Sequence, residues 1–158
     1  MKKLLLLFIL LSSLAYSQMP DISKVWLNAG NPYRGSIGSD KESAAIRLTV
    51  ALSEQDRKND QEYFVSGNSV VEDQDSDFEG KIRITKYKDR KKSGTVFGEY
   101  EFAEKPGGTH TGIFKGKFVY TFKWDPKAEK VGAQNLSFTG DWNSYDGKLT
   151  YKTNWKNQ

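Results

Sequence analysis

The sequence predicts an all-β domain, an antiparallel up-and-down barrel of about eight strands, with a β-sandwich as the alternative. Apolar and polar residues alternate with period two along nearly the whole chain, helical periodicity is almost absent, and a glycine recurs on the apolar side of successive segments. Period-two alternation is the mark of strands with one face buried and one in water.

The segments run in order. A first, weak strand is expected around Val25 to Leu27, and "YRGSI", Tyr33 to Ile37, reads as another. Ile46, Leu48, Val50 and Leu52 then share a face, as do Tyr63, Val65, Gly67 and Val71 in the next segment. Phe78, Gly80, Ile82 and Ile84 follow, and then Val96, Gly98, Tyr100 and Phe102. The clearest segment places Phe114, Gly116, Phe118, Tyr120, Phe122 and Trp124 on one face, with lysines and Thr121 on the other. Leu136, Phe138, Gly140 and Trp142 form the penultimate strand, and Leu149, Tyr151, Thr153 and Trp155 the last.

The separators read as turns. Asp146-Gly147 is the strongest two-residue hairpin signal. "SEQDRKNDQE" reads as a charged loop or a short helical turn, and "EKPGGTHTG" and "WDPKAEKVG" as longer loops. Short connections between successive strands favour neighbours pairing antiparallel.

Gly67, Gly80, Gly98, Gly116 and Gly140 all fall on the inward face. A strand that coils around a closed barrel needs sites without a side chain where it bends. The competing reading is close approach of backbone to a ligand.

The chain opens "MKKLLLLFILLSSLAYSQ". Lys2 and Lys3, the apolar run Leu4 to Leu11, and small Ala15 and Ser17 before Gln18 have the three parts of a secretory signal peptide. The run is too short to span a bilayer, which takes about 20 residues. The expected organisation is a signal peptide over 1–17 and a single domain over 18–158, secreted or held in a periplasm. Losing the two lysines lowers the formal net charge from +4 to +2. Such a balance predicts neither a nucleic-acid partner nor a membrane-spanning role. There is no cysteine, so an exported domain must be held by its core alone, which leans toward a bacterial source.

Candidate chemistry is sparse. His110 is the only histidine, so triads and zinc sites lack partners and a solvated loop residue is expected. Asp73, Asp75 and Asp77 alternate as calcium ligands can, but Phe78 and Ile84 stand where an EF-hand loop needs glycine and glutamate. An acidic hairpin is therefore expected there. Glu99 and Glu101, paired carboxylates of the kind a glycosidase uses, flank Tyr100 and by alternation point outward, away from any barrel interior. The basic run "KYKDRKK", Lys86 to Lys92, reads as a solvated connection between strands that also guards against edge pairing. No catalysis and no cofactor are expected.

The chain resembles the calycin-like, or lipocalin-like, small exported β-barrel proteins of Bacteroidetes-type bacteria. The resemblance rests on "YRGSIG" followed by "IRLTVAL", on "GIFKGKF", and above all on the closing "FTGDWNSYDGKLTYKTNW". It implies an up-and-down barrel, usually without an assigned activity. Two departures weaken a lipid-carrier role. Lys24 and Val25 precede Trp26 where true lipocalins carry Gly-x-Trp, and the Arg-x-Tyr carboxylate clamp of fatty-acid-binding barrels is missing.

The leading functional expectation is a non-catalytic exported barrel that binds a small apolar or amphipathic ligand at its interior or mouth. Tyr100, Tyr120, Trp124 and Trp142 would line the site. Buried tyrosine hydroxyls need partners, so several inside the barrel imply water, a ligand or another polar feature. The alternative is a packed barrel whose surface recognises a protein, a glycan or another envelope polymer, through the loops around Arg90 and His110. An open interior of a few hundred Å³ would favour the first, and a packed one the second.

Overall fold

The computed structural model describes residues 19–39, 41–108, 110–128 and 130–158; the signal peptide expected over 1–17 lies outside them. The strands are β1 (Tyr33–Ile37), β2 (Ala44–Gln55), β3 (Glu62–Val71), β4 (Gln74–Arg90), β5 (Ser93–Glu104), β6 (Gly112–Asp125), β7 (Lys130–Ser144) and β8 (Thr150–Lys156). Each pairs antiparallel with its neighbour in sequence, and β8 returns to β1, closing an eight-stranded barrel. The fold is the up-and-down barrel the alternation predicts.

Val25 to Leu27 does not form a strand. Ser23–Trp26 makes a single helical turn, α1, which carries Trp26 under the barrel floor with no exposed surface. The Trp26 ring meets Tyr63 at 5.7 Å, Phe118 at 5.1 Å and Tyr120 at 6.4 Å, all edge-on. Polar contacts fix the segment: Met19 N–H donates to Asp60 Oδ2 (2.6 Å), Ile22 N–H to Tyr63 Oη (3.3 Å), and Tyr33 Oη–H to the Trp26 carbonyl (2.8 Å). This end of the barrel is closed. The other end, bounded by connections 38–43, 72–73, 105–111 and 145–149, is open.

The core is the inward face of all eight strands, rich in rings. Phe138 stacks on Trp155 at 5.6 Å, Tyr100 meets both edge-on at 5.3 and 5.2 Å, and Phe78 stacks on Phe102 at 4.8 Å. Burying each such side chain contributes about 1.5–3 kcal/mol. The inward glycines sit where strands cross most tightly. Gly116 and Gly140 face each other across β6 and β7. A Cβ on Gly116 would stand 2.1 Å from the Thr139 carbonyl oxygen, and one on Gly140 2.2 Å from that of Lys115. What occupies the missing Cβ's place is the neighbouring strand's backbone, so these glycines let the barrel coil.

Bulges account for the places where alternation misleads. Val50 pairs with Gly67 but Leu52 with Ser66, so an extra residue turns Leu52 outward to 46% exposure. The Asn28 side chain caps this irregularity, accepting from Val50 N–H at 2.6 Å and donating to the Leu48 carbonyl at 2.9 Å. A second shift, between Ile84 and Lys86, continues β4 through the basic run. Lys86 to Arg90 are therefore strand, and only Lys91 and Lys92 connect. Asp146-Gly147 lies in a five-residue connection, 145–149, with Gly147 at φ 72°. The tight two-residue hairpins fall at Glu72-Asp73 and Lys91-Lys92. "SEQDRKNDQE" closes as the loop 56–61 between β2 and β3.

Candidate functional site

The open end holds a cavity of about 290 Å³ to which every strand contributes. Ile37, Ala44, Val71, Phe114, Trp142 and Tyr151 give it apolar walls, whereas β4 contributes the polar Gln74 and Ser76. Trp142 and Tyr151 are cross-strand partners and stack at 5.8 Å, 17° from parallel. Ser69 and Glu104 supply polar groups deep in the site, while Glu42, Glu72 and His110 stand on exposed parts of its lining.

Glu104 is the last residue of β5. Continuing the inward parity of Tyr100 and Phe102, it turns into the barrel and is only 4% exposed. Its carboxylate accepts Ser69 Oγ–H on Oε1 at 2.6 Å, and both Gly112 N–H and Trp142 Nε1–H on Oε2 at 2.9 Å. The Tyr145 hydroxyl donates to its backbone carbonyl, and Tyr145 N–H to that of Thr111 at 3.3 Å. Glu104 thus ties β3, β5, β6, β7 and the 145–149 connection together around the cavity. Burial, and then the Glu104 charge, pushes the Tyr145 phenol above its ordinary value.

Of the four residues expected to line a site, the structure brings one to the cavity. Trp142 is there. Tyr100 is buried mid-barrel among Phe102, Phe138 and Trp155. Tyr120 lies at the closed end, its hydroxyl donating to Gln134 Oε1 at 3.0 Å. Trp124 stands at the end of β6, past a register shift and beyond the barrel floor, and is 44% exposed, so it does not face the interior. The buried tyrosine hydroxyls are satisfied largely by protein: Tyr33 by Trp26, Tyr63 by Ile22 and Gln55, Tyr120 by Gln134. Tyr100 Oη lies beside the Thr153 hydroxyl, yet neither makes a well-formed hydrogen bond.

Glu104 and Ser69 are site residues that the sequence does not single out, although a signal for the first exists; Phe114 and Tyr151 it places on apolar strand faces without choosing them as lining. Counting on by twos from Tyr100 and Phe102 reaches Glu104, a carboxylate on a buried face. Glu99 and Glu101 do point outward, and Glu101 pairs with Lys115 at 2.9 Å. Asp73 sits in the two-residue turn and Asp75 accepts from Asn68 Nδ2–H at 2.9 Å. Among the described residues no three His, Cys, Asp or Glu side chains come together as a metal site.

A larger hollow, about 770 Å³, is a shallow dish on the outer wall over β2 to β6. Its buried carboxylate, Glu62, already has Lys81 Nζ at 2.6 Å and Arg83 Nη2 at 3.5 Å. No known protein family, curated protein or solved structure matches the chain.

Proposed function

We propose that the chain is an exported, non-catalytic barrel that binds a small amphipathic ligand at its open mouth. The carrying observation is the cavity itself: apolar side chains from β1, β2, β3, β6, β7 and β8 surround a buried polar floor at Ser69 and Glu104. That combination suits a ligand with an apolar body and one polar head. The volume is near the small end of ligand sites, and the barrel below it is filled by side chains, so the ligand sits at the mouth and not along the axis. Membership of the calycin-like exported barrels is part of the same proposal, supported by the closed eight-strand meander with one plugged end. The outer wall carries charges such as Arg47, Lys81, Arg83, Glu99 and Glu101, unlike the apolar band of a barrel in a bilayer.

Native mass spectrometry of the chain Gln18–Gln158 from its own export route tests this reading. A discrete extra mass, lost on denaturation and absent from a Trp142→Ala variant that stays folded, is expected. A bare mass after exposure to a lipid and metabolite extract would overturn it.

The packed lower barrel favours a second reading, recognition of an anionic envelope polymer. Lys86, Lys88, Arg90, Lys91 and Lys92 are all exposed on the β4–β5 hairpin, and Tyr87 beside them is 52% exposed. Salt-sensitive retention on an anionic polysaccharide, lost when Lys91 and Lys92 become glutamate, would carry it.

A further inference from the structure

We infer that the mouth site takes an organic ammonium ion with a short apolar or aromatic body, its charged head set against Glu104; this rests on the mouth-binding reading above. A carboxylate taken out of water is costly unless compensated by hydrogen bonds and an opposite charge. Glu104 has the hydrogen bonds and lacks the charge. The ion pairs among the described residues lie elsewhere: Glu62 with Lys81 and Arg83, Glu101 with Lys115, Asp141 with Lys152, Asp146 with Lys148.

The remaining acceptor capacity is on one oxygen. A carboxylate offers about four acceptor positions. Two donors occupy Oε2, but Ser69 alone occupies Oε1. The residue lines the cavity, so a donor entering from the mouth can take that position, and a cationic donor also supplies the missing charge.

The surroundings agree in sign. The chain as a whole is basic, at +4 and still +2 without Lys2 and Lys3, yet among the described residues the cavity lining contains no lysine or arginine. Its charged members are Glu42, Glu72 and Glu104, with His110 the one titratable base. Such a field draws cations and repels carboxylates and phosphates. The stacked Trp142 and Tyr151 rings offer π-faces that favour a cation. A fatty-acid head at this floor would meet a like charge. A free metal ion needs several oxygen ligands, and among the described residues no three His, Cys, Asp or Glu side chains come close enough together to supply them.

The test is a ranking of three probes of one shape on the chain Gln18–Gln158: phenethylammonium, 2-phenylethanol and phenylacetate. Binding is followed by calorimetry and by NMR of the Gly112 amide and the Trp142 indole N–H, both of which donate to Glu104. The cation is expected to bind at least about tenfold more tightly than the alcohol, with phenylacetate weakest. In Glu104→Gln the cation and alcohol should bind alike. Glutamine can turn its carbonyl toward Gly112 and Trp142 and its amide toward Ser69, so the site's shape is kept.

If the alcohol or phenylacetate binds at the mouth as tightly as the cation, the ammonium assignment fails and mouth binding stands. The assignment fails in the same way if Glu104→Gln keeps the cation preference. If no probe moves the mouth resonances, both readings fall. Should Glu104→Gln fail to fold, the wild-type ranking and the Trp142 indole shift still decide.

Discussion

Near the closed end, Glu62 lies under two cations, Lys81 at 2.6 Å and Arg83 at 3.5 Å. At the open end Glu104 is buried more deeply, 4% exposed against 8%, and has three hydrogen-bond donors but no cation among the described residues. The rest of each end follows the same division. Below, Trp26 fills the floor and the hydroxyls of Tyr33, Tyr63 and Tyr120 find partners within the protein. Above, a lining that is apolar on six of the eight strands surrounds unfilled space. The closed end pairs its buried carboxylate from its own strands and fills its floor, although the Trp26 indole N–H finds no acceptor there, whereas the open end has a charge and a volume that a second molecule would complete.

The largest expected effect tests the filled floor of the closed end. Trp26→Ala removes the ring that Tyr63, Phe118 and Tyr120 pack against, and should lower unfolding stability by about 3–5 kcal/mol. Urea unfolding at neutral pH measures it. A loss under about 1 kcal/mol would mean that the plug does not hold the floor, and the contrast between the ends would dissolve.

The next effect belongs to the open end. Phenethylammonium at about 100 times its dissociation constant should stabilise the wild type by about 2.7 kcal/mol. The same concentration should do far less for Glu104→Gln and leave the response of Glu62→Gln intact. Thermal unfolding with and without the probe reads all three. Equal stabilisation of the two variants would show that the ends do not differ in the way their glutamates suggest.

The eight-strand barrel is legible because period two survives wherever the ladder is regular, and the glycines mark its bends. Gly116→Ala tests that second signal: its new Cβ would press on the Thr139 carbonyl and should cost about 1–3 kcal/mol in the same urea assay. A neutral substitution there would return the ligand-approach reading to consideration. The site is less legible, because parity counting identifies a face but not a height along the barrel. Tyr100, Tyr120 and Trp142 share the inward face, yet lie in the middle, at the floor and at the mouth. Parity puts Leu52 on the wrong face because one inserted residue reverses it, and no local composition announces a bulge. Glu104 follows the parity rule, but it stands at the end of a strand whose neighbouring acids, Glu99 and Glu101, belong to the outer face.

The smallest effect separates two buried phenols. Tyr33 donates to the Trp26 carbonyl at 2.8 Å, whereas Tyr100 Oη has no well-formed partner. Tyr33→Phe should therefore cost about 1 kcal/mol, and Tyr100→Phe about nothing, or should stabilise slightly by removing a buried group that lacks its bond. Burial raises both phenols above their ordinary value, with the Thr153 hydroxyl partly opposing the rise at Tyr100. The sign follows from linkage: an unfolded tyrosine loses its proton near pH 10 while the buried one keeps it. Their contribution to stability is thus fully present below about pH 10 and is lost as pH rises from there toward the raised folded values. Urea midpoints from about pH 8 to pH 11 should fall for the wild type, and fall less steeply for either phenylalanine variant. A profile unchanged by both substitutions would mean that these phenols titrate alike folded and unfolded. The barrel interior would then be far wetter than its packing implies, and a buried, cation-seeking carboxylate at its mouth would lose its physical basis.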